Sequence, residues 1–84
     1  VVRVGRDLVK EILERRGIAG VIRLAYYNFA ASLQAKLRRV DESEWGKLVD
    51  AMIAYHTVAY GLRDDVLREI AEAVIAQRKK GGGG

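Results

Sequence analysis

The stretch 18-IAGVIRLAYYNFAASLQAKL-37 decides how this chain folds. Its only charges are Arg23 and Lys36, and it holds no acid. Wound at about 100° per residue, it separates into sectors. Ile22, Tyr26, Phe29, Ala30, Leu33 and Leu37 form one broad apolar stripe. Arg23, Gln34 and Arg38 make a polar strip, and Asn28, Ser32 and Lys36 make another, nearly opposite. Between the polar strips runs a second, narrower apolar strip of Leu24, Ala31 and Ala35. A helix with one buried face needs only the first stripe. The second strip either touches another part of the same bundle or meets another copy of the chain. Tyr27 lies off the main stripe and is the tyrosine best placed for an outside contact. Leu24, Tyr27, Ala31 and Ala35 are therefore the candidate subunit interface.

The flanking sequence supplies three more helical patterns. Over residues 6–16, Leu8, Val9, Ile12 and Leu13 share one face, and Gly17 suits the left-handed position that ends a helix. Residues 1–5 (VVRVG) are expected to form an extended arm. The central helix is expected over residues 19–39. Asp41 and Glu44 have capping-box spacing at the start of a helix over residues 42–60. Its stripe is Trp45, Leu48, Val49, Met52, Ile53, Tyr55, Ala59 and Tyr60, and Gly61 ends it. A last helix over residues 64–80, started by Asp64 or Asp65, turns Val66, Leu67, Ile70, Ala71 and Val74 inward. Its Arg68 and Glu72 face away at a spacing that allows pairing. Connections this short run successive helices antiparallel. The expected fold is all-α: a four-helix up-and-down bundle, or two packed helical hairpins. Residues 1–80 form a single helical domain, and residues 81–84 a flexible glycine tail that follows the basic Arg78-Lys79-Lys80.

Composition removes several function classes. The chain has 84 residues, no Cys and one His, so disulfides are excluded and a Cys- or His-based metal site is nearly so. Robustness has to come from helix packing or from oligomerisation. His56 falls in the apolar stripe of the third helix, and Asp50 projects about 120° away from it. It is read as a buried or half-buried His bonded to a neighbour, not as a catalytic group. The acidic pairs sit at helix starts, where capping and the helix dipole account for them. No glycine-rich phosphate loop is present. An enzyme, a cofactor and a small-molecule substrate are not expected. Tyr26, Tyr55 and Tyr60 lie on apolar stripes and are assigned to the core. Arg23, Asn28, Ser32 and Gln34 argue against a membrane-spanning helix. Val1 in place of Met is read as a start that was trimmed, processed or cut from a longer chain, and no signal peptide is visible.

The bases say more. The net charge is +4, with residues 18–40 contributing four bases and no acid. An up-and-down bundle brings the start of the first helix, the end of the second, the start of the third and the end of the fourth to one pole. That pole collects Arg3, Arg6, Arg38, Arg39, Arg78, Lys79 and Lys80, partly offset by Asp41, Glu42 and Glu44. Such a pole suits phosphates held without sequence readout. A helix-turn-helix around Gly61 is the weaker reading, because no base-reading face stands out.

These features coincide with a composition rich in Arg (ten, against five Lys) and poor in Asn, Gln and Met, of the heat-tolerant kind. In overall character the chain resembles the small major capsid proteins of rod-shaped DNA viruses of hyperthermophilic archaea, the clavavirus type. The resemblance has no residue motif, so no functional position transfers from it. It implies a helical capsid built through extended apolar interfaces, basic residues holding double-stranded DNA, and a place in the virion. The strongly acidic amino-terminal segment of the filamentous-phage coat pattern is missing here. The competing expectation is a small, dimeric, cytoplasmic helix-bundle subunit that associates with nucleic acid or regulates another protein.

Overall fold

Gly17 shows how the chain turns its first corner. In the computed structural model, which describes residues 4–82 and the side chains of residues 7–79, α1 (Val4–Arg15) stops at this glycine, whose φ is 76°. The Gly17 N–H donates to the Glu14 carbonyl at 3.1 Å, and the Ile18 N–H reaches back to Leu13 at 2.8 Å. These are the paired bonds of a Schellman ending, and Ile18 packs on the core just beyond it. Gly20 takes a second left-handed φ of 89°. This break starts α2 (Ile22–Leu37) at Ile22 instead of Ala19. Arg23 closes the corner, its Nε–H donating to the Ile18 carbonyl at 2.7 Å.

The second corner differs from its expected chemistry. The Asp41 side chain makes no capping bond. A 3-10 turn, Glu42–Glu44, precedes α3 (Trp45–Tyr60), and its Glu44 N–H donates to the Asp41 carbonyl at 2.8 Å. The Trp45 indole N–H donates to the Val40 carbonyl at 3.1 Å and pins the turn. At the third corner Gly61 (φ 67°) donates to Thr57 at 3.0 Å and ends α3 as expected. The Leu67 N–H then donates to the Arg63 carbonyl at the start of α4 (Asp64–Gly82). Val4 and Gly5 are helical and not part of an extended arm, while residues 1–3 lie outside the described residues. Gly81 and Gly82, assigned to the tail from sequence, complete α4, and residues 83–84 lie outside the described residues.

All four helices send their main stripes to one core. Tyr26, Phe29, Leu33 and Leu37 of α2 are buried there, with Val9, Ile12 and Leu13 of α1 and Val49, Met52 and Ile53 of α3. Every inward position expected on α4, from Val66 to Val74, is buried. No charged or polar residue is buried among the described residues. α1 and α3 each pack against α2 and α4, and α2 also meets α4 across the middle. The section is thus a flattened rhombus with α1 and α3 on opposite flanks, and the molecule measures 35 × 28 × 16 Å along its principal axes. The order is antiparallel: Arg16 at the end of α1 pairs with Asp65 at the start of α4, and Lys79 near the end of α4 pairs with Glu42 before α3. The chain is an all-α bundle of the up-and-down kind.

Leu33, fully buried on α2, should cost about 2–5 kcal/mol when cut to Ala, measured as a shift of the urea midpoint. Thr57 offers the opposite case, since its hydroxyl oxygen is buried without a hydrogen-bond partner among the described residues. Thr57→Val should stabilise by about 1 kcal/mol in the same measurement.

Candidate assembly face and basic pole

Outward-facing positions on two neighbouring helices set this surface apart. On α2, Leu24 is 61% exposed and Ala31 and Ala35 are exposed, while Tyr27 is half-buried. The strip expected opposite the core stripe therefore faces away from the bundle. The structure adds α3, which lies beside α2. Ala51, Ala54, Tyr55, Val58 and Ala59 are exposed on it, with Val58 at 86%. From Leu24 to Ala35 and from Ala51 to Tyr60 the two helices carry no charge. The outward sides of α1 and α4 differ: Lys10, Glu11 and Glu14 are exposed on the first, and Arg68, Glu72 and Lys79 on the second. The bundle thus has a charged side and a nearly charge-free side. Large uncharged surfaces of this kind mark contact sites.

Grooves run along both flanks of α2. The α1–α2 groove is lined by Val9, Leu24, Tyr27, Ala30, Ala31 and Gln34. The α2–α3 groove holds Ser32, Lys36, Met52, Tyr55, His56 and Tyr60. Tyr55 and Tyr60, assigned to the core from sequence, stand exposed at its rim. Tyr60 points in the core direction but lies past the end of the core, and Tyr55 sits at the edge of the stripe. Ile22, at the first turn of α2, is left 44% exposed in the same way. His56 is half-buried as expected, its Nδ1 2.8 Å from the Met52 carbonyl, so that nitrogen carries the proton and donates. The Phe29 and Tyr55 rings meet the imidazole edge-on, with centroids 5.1 and 5.3 Å away. Among the described residues no nucleophile or carboxylate is bonded to it. No group of His, Cys, Asp or Glu capable of holding a metal occurs among the described residues.

The two poles differ in how their charges are matched. At the pole holding the end of α1 and the start of α4, arginines meet acids. Arg15 and Arg16 each pair with Glu69 at 2.7 Å, and Arg16 and Arg63 pair with Asp65 at 3.0 and 2.9 Å. Hydrogen bonds from Arg15 and then Arg16 hold the Glu69 carboxyl below its ordinary value. Arg63 does the same for Asp65. Arg68 pairs with Asp50 on α3 at 3.1 Å, not with Glu72 as its spacing suggested. At the opposite pole Arg38 and Arg39 are exposed and Arg78 half-buried, none in an ion pair among the described residues. Lys79 is partly neutralised by Glu42 at 3.2 Å. Arg6 and Lys80 stand on helices that reach this pole, but their side chains, and all of Arg3, lie outside the described residues.

No helix among the described residues is long and apolar enough to cross a membrane. Comparison with protein-family models, with curated proteins and with solved structures gives no match.

The arginine pole has a consequence for acid stability. Glu69 returns to an ordinary carboxylate pKa, about 4.3, when the chain unfolds. Its stabilising pairs are therefore fully present above that pH and are lost as pH falls through the lowered folded value. Glu69→Gln should lower the urea midpoint at pH 7 and flatten the loss of stability between about pH 5 and pH 3. Equal acid slopes in both proteins would show that these pairs add no stability.

Proposed function

We propose that the protein is a non-enzymatic, self-assembling structural protein, most concretely a viral coat protein. Its copies pack through the α2–α3 side and hold double-stranded DNA at the basic pole. The observation that carries this reading is the one-sided distribution of charge. A solitary surface helix gains nothing from Leu24, Ala31 and Ala35 facing water, or from Val58 at 86% exposure. Two adjacent helices with uncharged outer sides instead suit close helix-to-helix approach, where small side chains let backbones come near. Arg38, Arg39 and Arg78 bear unmatched charge at one end of the same small body. Repetition turns such a pole into a continuous cationic lining, and an array of weak contacts binds an extended polyanion tightly.

A closed dimer that associates with nucleic acid is the second reading. It is favoured by the single uncharged side, because one patch used identically by two copies closes on itself.

Light scattering at high protein concentration should report particles far heavier than the 9.3 kDa chain. A monodisperse monomer would reject assembly, and a particle of two chains would select the second reading. Arg38→Ala combined with Arg39→Ala and Arg78→Ala should weaken DNA binding and lower its dependence on salt by up to about 3 in the slope of log K against log salt. Unchanged binding would remove the pole from the interface.

A further inference from the structure

We propose that the α2–α3 groove binds a nucleotide, with the base against Tyr55 and Tyr60 and the phosphate at Lys36. The groove has a volume of about 500 Å³, within the roughly 300–1,000 Å³ of small-molecule sites. All its lining side chains are described, and they divide by helix. α2 supplies Asn28, Ser32 and Lys36, spaced four residues apart on one side. None of the three makes a side-chain hydrogen bond or ion pair among the described residues. α3 supplies the rings. Tyr55 stands at 83° to His56, 5.3 Å away, and at 84° to Tyr60, 6.0 Å away. The Nδ1 bond to the Met52 carbonyl fixes the imidazole and leaves Nε2 as an acceptor. Tyr55 and Tyr60 are 60% and 56% exposed, so much of both rings is open to a ligand.

Rings at one end and a cation at the other select an aromatic anion. α2 and α3 run antiparallel and Phe29 meets His56, so Asn28 lies at the tyrosine end. Lys36 lies toward Ala51, about 12 Å along α2 from Asn28. A base has a flat face to stack on an exposed tyrosine, and its edge carries donors and acceptors that suit the Asn28 amide. The phosphate meets the only formal charge in the lining, and no carboxylate there repels it. Other occupants fit less well. An organic cation suits the rings but is repelled by Lys36. An apolar helix laid into the groove would bury the ammonium without a counterion and strip Asn28 and Ser32 of water. Inorganic phosphate alone makes no use of the rings.

The same chemistry is offered by a free nucleotide and by one unit of a single strand. Arg38 and Arg39 follow Lys36 at that end of α2, exposed and in no ion pair among the described residues, and they suit the further phosphates of a strand. The site needs no second copy, so it stands or falls separately from the self-assembly proposed above.

Isothermal titration with AMP should give saturable binding at one site per chain. Adenosine and ribose 5-phosphate, each lacking one half of the ligand, should bind at least about tenfold more weakly. Lys36→Gln should weaken AMP binding about tenfold and leave adenosine binding unchanged. Tyr55→Ala combined with Tyr60→Ala should weaken both by about tenfold. All three positions are exposed, so circular dichroism should show the variants folded. Lys47→Gln removes the same charge from α3 outside the groove and should leave AMP binding as it is. Absence of saturable AMP binding, or equal losses in Lys36→Gln and Lys47→Gln, overturns the site. A short single strand of deoxyadenylate separates the two sources. Tighter binding than AMP, lost with Arg38→Ala and Arg39→Ala, makes the ligand a strand, and binding no tighter makes it the free nucleotide. Strand binding that is indifferent to Lys36→Gln and to the tyrosine changes also overturns the site.

Discussion

The contact between α2 and α4 across the middle of the bundle is the constraint on which the rest depends. Both helices lie on the short diagonal of the section, and each meets every other helix. Their inward residues, Phe29, Leu33, Val66, Leu67 and Ile70, are fully buried. Since no charged residue is buried among the described residues, apolar burial dominates the geometry of this core. With α2 and α4 held together, α1 and α3 have one place each, on opposite flanks. That placement brings the ends of α2 and α4 to a common pole.

Charge follows the same architecture. At one pole Arg15, Arg16 and Arg63 are matched by Asp65 and Glu69, and these pairs tie the end of α1 to the start of α4. At the other, Arg38 and Arg39 have no carboxylate within pairing distance among the described residues. The exposed pairs add little each, yet they match three of the arginines at one end, while Arg38, Arg39 and Arg78 at the other have no ion pair among the described residues. The sides divide likewise, with α1 and α4 outwardly charged and residues 24–35 of α2 and 51–60 of α3 free of charge. A chain with a net charge of +4 therefore has one charged side, one side with long charge-free runs, and one end with arginines in no ion pair among the described residues.

How much of this was legible from residues depends on the kind of feature. The inward stripes of α1, α2 and α4 follow the helical period and are buried almost without exception. Leu24, Ala31 and Ala35 are exposed on the predicted side, because the direction opposite a core stripe is as well defined as the stripe itself. Helix ends were less legible. Gly20 breaks the helix because of its left-handed backbone, and Asp41 leaves its capping position unused because Trp45 and a 3-10 turn hold that corner. Tyr55 and Tyr60 were misassigned for another reason: periodicity gives a direction around a helix, not how far the neighbouring core extends along it. Arg68 chose Asp50 over Glu72 because α3 brings a carboxylate closer than the same helix does.

The sequence by itself determined four helices, their antiparallel order, the inward stripes and the second apolar strip of α2, because all of these are local consequences of helical period and short connections. Only the tertiary structure decided that the strip on α2 adjoins an equally uncharged side of α3. A run such as Ala51–Tyr60 becomes a surface only when its neighbour is known. The stretch from Ile18 to Leu37 thus contributes the centre of the core on one side. On the other it contributes the exposed, uncharged strip of Leu24, Ala31 and Ala35, beside which packing lays the uncharged residues 51–60 of α3.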